Sequence, residues 1–81
     1  MSIPYLFHMK TQRQIEFGRR LRFYRKEKDL TQEKLAELSG LNMNYLSSVE
    51  RGERSVGLLN IWKLADALEI SPIKFFEPVV M

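Results

Sequence analysis

Between Thr31 and Gly52 the chain has room for two short helices and almost nothing between them. Thr31 is an N-cap residue, and Gln32 and the acidic Glu33 follow it in the first turn, where the helix dipole favours an acid. Leu35, Ala36 and Leu38 supply an apolar side, and Gly40 can take the left-handed conformation that closes a helix. Leu41 and Asn42 restart the pattern at once. Asn42 is the next N-cap, and Tyr45, Leu46 and Val49 share one face before Gly52 stops the segment. Ala36 is small enough for two helix axes to approach, and Gly40 permits the positive φ of a tight turn. The spacing predicts a helix-turn-helix with Leu35, Ala36, Leu46 and Val49 turned inward. The second helix then shows Met43, Asn44, Ser47, Ser48 and Arg51 outward. Short, mostly uncharged side chains make a poor solubilising surface. They suit a DNA major groove, where they reach base edges without crowding the backbone.

The flanking sequence supplies further helices. Thr11 and Gln14 spell a capping box, and Ile15, Gly18, Leu21 and Arg25, with Phe17 and Tyr24, keep helical spacing through Lys28. Leu58, Ile61, Trp62, Leu64, Ala65 and Leu68 make a strongly apolar fourth helix. Ser71 and Pro72 form an N-cap with proline at the first helical position, and Ile73, Phe75 and Phe76 make a short fifth helix that Pro78 ends. No alternating run with turn glycines suggests a sheet. The expected architecture is all-α, with five helices in one domain over residues 11–78. Residues 1–10, aperiodic and interrupted by Pro4, read as a flexible N-terminal arm.

Composition narrows the chemistry. With 81 residues there is little space for an enclosed active site beside a core. The chain has no cysteine, and His8 is its single histidine, which excludes thiolate metal sites and leaves no histidine base inside the domain. Ser47 and Ser48 have no base to activate them. No enzyme activity, catalytic residue, metal or cofactor is therefore expected. No apolar run approaches the roughly 20 residues of a membrane span, and the first nine residues lack a signal-peptide pattern. A cytoplasmic chain that does not engage membranes is expected. Net charge is +3, but from Lys10 to Lys28 eight basic residues face only Glu16 and Glu27, whereas acids prevail after Lys28. Such a basic block points to a polyanionic partner.

Three strings carry a resemblance: Leu-Thr-Gln-Glu-Lys-Leu-Ala-Glu-Leu-Ser-Gly-Leu over 30–41, Tyr-Leu-Ser-Ser-Val-Glu-Arg-Gly-Glu-Arg over 45–54, and Leu-Ala-Asp-Ala-Leu-Glu-Ile over 64–70. They resemble the XRE, or lambda-repressor-like (Cro/C1-type), helix-turn-helix family, from about Ile15 to Phe76. Within it, the 45–54 segment and the single-domain form are most similar to the controller proteins of restriction–modification operons. The resemblance implies that Asn42, Met43, Asn44, Ser47 and Ser48 face bases. Asn44 is suited to adenine, and Met43 to an apolar feature such as a thymine methyl. Met43 and Asn44 stand where controller proteins often carry an arginine and a threonine. Thr31, Gln32, Tyr45, Arg51 and Arg54 are the implied phosphate contacts; the first helix of this fold lies mostly away from the groove, and Arg22 is the phosphate candidate of its basic block. Arg25 and Glu50 match a buried ion pair that joins the first helix to the third.

The C-terminal apolar residues exceed what one small core can bury, and surplus apolar surface points to an interface. Ile61, Trp62, Leu68, Ile70, Phe75, Phe76 and Val79, with Ile73 and Val80 beside them, are the candidates. The resemblance implies a two-fold homodimer whose recognition helices lie about 34 Å apart on a palindromic operator. The implied protein is a cytoplasmic, nucleoid-associated regulator of a bacterium or phage, autoregulatory in the manner of a restriction–modification controller. Its implied partners are double-stranded DNA, a second copy of itself and RNA polymerase, with no small-molecule ligand. The alternative is an antitoxin-type or other protein-interaction module of the same fold.

Overall fold

In a computed structural model that describes residues 10–79, each of the three helices before the long loop starts on the cap its sequence offers. The elements are α1 (Gln12–Glu27), α2 (Gln32–Ser39), α3 (Met43–Glu50) and α4 (Leu58–Leu68), followed by a 3-10 helix over Pro72–Phe76. Thr11 closes a full capping box with Gln14, Thr31 accepts from the Lys34 amide, and Asn42 accepts from the Asn44 and Tyr45 amides. α4 begins on Gly57 with no side-chain cap.

Four α-helices are present among the described residues, not five. Pro72 starts the last segment and Glu77 is extended, so only five residues remain, and they close as a 3-10 turn. Of the expected arm, residues 1–9 lie outside the described residues, as do His8 within it and Val80 at the other end; Lys10 is exposed and precedes α1.

All four helices end alike. The amides of Asp29 and Leu30, Gly40 and Leu41, Gly52 and Glu53, and Glu69 and Ile70 turn back onto carbonyls of the preceding turn. The first of each pair has positive φ. This is the Schellman arrangement, which satisfies two otherwise orphaned carbonyls per helix. At Gly40 and Gly52 the residue type suits the conformation. Glu69 adopts it against its side chain, and Asp29 as one of the few other types that tolerate it.

The core is assembled from every element. Leu21, Leu35, Leu46, Val49, Leu64, Leu68 and Phe75 are each at most 1% exposed. Phe75 brings the 3-10 helix into this core, its ring centroid 5.0 Å from that of Phe17. Burial of such a side chain contributes about 1.5–3 kcal/mol. This location overturns three expected interface residues. Ile61, Leu68 and Phe75 lie inside the protomer's own core and have almost no surface to offer a second copy. Leu35 and Ala36 are buried as expected, and Leu38, the third apolar residue of α2, is half exposed.

α1 packs against α3 more closely than side chains would allow. A Cβ at Gly18 would collide with the Val49 carbonyl oxygen and lie 2.6 Å from that of Glu50. Glycine at position 18 is therefore what lets α1 rest directly on the last turn of α3.

Candidate nucleic-acid interface

The position of α3 is set at its end by charge. Glu50 points inward with its side chain 3% exposed, and Arg25 of α1 meets it with two bonds, Nε to Oε2 at 2.6 Å and Nη2 to Oε1 at 3.0 Å. The remaining branch of Arg25 donates to the Leu30 carbonyl at 2.8 Å. One guanidinium thus ties together the end of α1, the start of α2 and the end of α3. Gln32 adds a third donor, its Nε2 lying 3.0 Å from Glu50 Oε1. Gln32 was expected to donate to phosphate. One of its amide hydrogens is instead committed to this half-buried network, because the carboxylate would otherwise hold an unmatched lone pair.

Around this anchor the exposed face of α3 is closely organised. Met43 and Asn44 are exposed in the first turn, and the Asn44 side chain has no hydrogen-bond partner among the described residues. Asn42 spends its carbonyl oxygen on the cap, which leaves only its amide NH2 for a ligand. Ser47 and Ser48 are half-buried, and each is engaged by an arginine from beyond α3. Arg51 Nη1 donates to Ser47 Oγ at 2.6 Å, and Arg54 Nε to Ser48 Oγ at 3.2 Å. Ser48 in turn donates to the Tyr45 carbonyl at 2.7 Å. The Arg54 guanidinium also lies 5.6 Å from the Tyr45 ring centroid, within cation–π range. The Tyr45 hydroxyl accepts from Asn60 Nδ2 at 3.2 Å, which holds the ring against α4.

The structure thus brings Asn42, Met43, Asn44, Tyr45, Ser47, Ser48, Arg51 and Arg54 onto one surface. Thr31 stands at the start of α2, where its hydroxyl oxygen caps Lys34 and its O–H is free to donate. Arg22 is exposed on α1, four residues from Gly18 and three from Arg25, on the stripe that faces α3. It has no ion-pair partner among the described residues. Arg20 lies elsewhere: it donates to the Phe75 carbonyl at 3.2 Å and braces the 3-10 helix. Glu16, also on α1, is held below the ordinary carboxylate range, first by the Gln12 amide and then by the Arg13 guanidinium.

Sequence reasoning missed Asn60 and Glu53, and it did not pair Gln32 with Glu50. Gln32 with Glu50, Asn60 with Tyr45 and Glu53 with Arg51 join residues whose types carry no periodic signal. Glu53 alone was within reach, because it lies between the two arginines of the Glu-Arg-Gly-Glu-Arg run.

Of the C-terminal candidates, Trp62 and Phe76 are exposed, Ile70 is half-buried and packed on the core, and Val79 is half-buried beyond the 3-10 helix. Leu58, Leu59 and Ile73 are also exposed, each by more than half. Among the described residues no group of His, Cys, Asp or Glu could hold a metal ion, and no helix is long and apolar enough to cross a membrane.

Comparison with known proteins agrees with this geometry. The Helix-turn-helix family HTH_3 matches residues 21–75. Control protein C.MunI of Mycoplasma sp is 41% identical over 66 residues, 80% of this chain and 89% of that protein. The crystal structure of the restriction–modification controller protein C.AhdI from Aeromonas hydrophila superposes with a TM-score of 0.77 at 54% identity, covering 78% of this chain and 96% of that one. The controller protein C.Esp1396I, solved as a tetramer with its natural 35 base-pair operator, matches with a TM-score of 0.75 at 30% identity, covering 82% of this chain and 87% of that one.

Proposed function

We propose that this chain, which belongs to the helix-turn-helix family HTH_3, is a sequence-specific transcriptional regulator that binds a palindromic operator as a homodimer. The observation that carries the reading is the α3 surface. Exposed Met43 and Asn44 lead it, Arg51 and Arg54 hold Ser47 and Ser48 behind them, and the buried Arg25–Glu50 pair fixes the whole helix. A rigid row of base-sized side chains flanked by cations is what major-groove reading requires. The phosphate contacts are assigned to Thr31, Tyr45, Arg51, Arg54 and Arg22, with Gln32 contributing its backbone amide and its second side-chain hydrogen. They set register and supply the salt-sensitive part of affinity.

Trp62, Leu58, Leu59, Ile73 and Phe76 offer the apolar surface for the second copy, with Val79 and Ile70 at its margin. Two copies related by a two-fold axis would place their α3 helices in successive major grooves about 34 Å apart. Similarity to C.MunI and C.AhdI favours control of a restriction–modification operon in the bacterial cytoplasm, including the chain's own promoter. On this reading the chain works as a binding protein, without catalytic residues or a cofactor.

Selection of binding sites from a randomised duplex pool, with affinities measured at two salt concentrations, tests the proposal. The expected result is an enriched palindrome with half-site centres about 10 bp apart. Asn44→Ala then relaxes one symmetric position at a cost of about 1–3 kcal/mol. Weak binding with no enriched sequence refutes a sequence-specific regulator. A sedimentation profile showing only monomer at micromolar concentration, with and without DNA, refutes the dimer.

A further inference from the structure

Glu53 is an acid set among the arginines of the α3 face. Its amide donates to the Ser48 carbonyl at 3.0 Å as part of the turn that closes α3, so its backbone is fixed to the recognition helix. Its Oε1 accepts from Arg51 Nε at 3.0 Å, and its Oε2 faces Lys10 Nζ at 3.9 Å. The other branch of Arg51 is the one that donates to Ser47 Oγ at 2.6 Å. The Arg51 and Glu53 side chains are 54% and 43% exposed. An ion pair that open contributes little to stability, so folding does not account for a carboxylate at a surface that must meet phosphates.

We propose that Glu53 is a specificity-determining residue that acts by positioning Arg51. The inference rests on the DNA-binding reading above. Non-specific binding is essentially attraction between cations and phosphates. There Glu53 acts twice: it repels the backbone, and it competes with phosphate for the Arg51 guanidinium. On a matched site the base contacts of α3 hold the protein in one register. In the free protein Glu53 already orders the Arg51 fork on Ser47, and only in that register does the ordered fork meet its contact, which offsets part of the repulsion. The same carboxylate therefore weakens binding to mismatched DNA more than binding to the matched site.

The test uses the full chain and its Glu53→Gln variant. Affinities are measured by fluorescence anisotropy for the selected duplex and for a scrambled duplex of equal length and composition, across a salt series. Glu53→Gln is expected to bind the scrambled duplex about fivefold tighter and the selected duplex less than about twofold tighter. The salt slope on the scrambled duplex should steepen by about one. In an Arg51→Gln background the substitution should no longer change the ratio of the two affinities. Thermal midpoints of wild type and Glu53→Gln should agree within about 3 °C. An equal gain on both duplexes would show a bulk charge effect and overturn the proposal, and so would no gain on either. Failure to select any sequence overturns the regulator reading and this inference together. A selected sequence with an unchanged ratio overturns this inference alone.

Discussion

Replacing Arg25 by methionine removes the guanidinium and keeps most of its apolar stem. In the folded protein Arg25 makes three bonds, two to Glu50 at 2.6 and 3.0 Å and one to the Leu30 carbonyl at 2.8 Å. After the substitution the Glu50 carboxylate, 3% exposed, keeps only the Gln32 amide. Breaking one side of a buried pair costs about 3–5 kcal/mol, mostly because the remaining charge is stranded away from water. A domain of this size has a total stability of roughly 4–12 kcal/mol. At about 4–8 °C per kcal/mol, the midpoint should fall by at least about 12 °C. Circular dichroism melting measures this directly. A second variant, Arg25→Met with Glu50→Leu, removes the stranded charge as well, and most of the loss should return, since apolar replacement of a whole buried pair is often neutral. Two results would refute the reasoning. A single variant that melts within about 3 °C of wild type would show that Glu50 reaches water without its partner. Loss of DNA affinity at an unchanged midpoint would show that Arg25 touches DNA instead of holding α3.

Four further substitutions test how the fold and the apolar surface are built. Gly18→Ala should destabilise by about 1–2 kcal/mol, because overpacking against the Val49 and Glu50 carbonyls outweighs the roughly 0.5–1 kcal/mol that alanine gains within a helix; a raised urea midpoint would mean that α1 does not rest on α3. Glu69→Gly relieves a φ of 58° and should stabilise by up to about 1 kcal/mol after the added chain entropy, and a lowered melting midpoint would contradict the strain. Leu68→Ala should cost about 2–5 kcal/mol of folding stability, whereas Trp62→Gln should leave the fold intact and weaken self-association in sedimentation; the reverse pattern would reassign core and interface.

The readable parts of the fold are those encoded within one turn of helix. Thr11, Thr31 and Asn42 each cap through a bond spanning two or three residues, so residue type and position suffice to place the start of a helix. Gly40 and Gly52 announce their turns because glycine is the residue that positive φ favours. The turns at Asp29 and Glu69 were silent because neither residue type marks a helix end as glycine does. The outer row of α3, Asn42, Met43, Asn44, Ser47 and Ser48, was legible as a set of short, mostly uncharged side chains turned away from the core. The bonds of α3 to Arg51, Arg54 and Asn60 were not, since they depend on where the α3–α4 loop brings side chains that have no sequence period.

α4 shows why counting apolar residues mislocates an interface. Ile61, Leu64, Ala65 and Leu68 follow helical spacing and form the buried stripe. Leu59 and Trp62 are as apolar, yet they fall on other faces and remain exposed, as does Leu58 at the first position of the helix. Composition registers one hydrophobic helix, although the helix has two apolar faces with different obligations. One face must match Leu46, Leu35 and Phe75 inside the protomer, and the phase of α4 is set by that fit. The other face is whatever the fit leaves outward. A sum over the segment signals that some surface is surplus, but it cannot choose between Leu68 and Leu59. That choice follows from the angular position of each residue relative to the core, so an interface on this helix is read from what the core has not already taken.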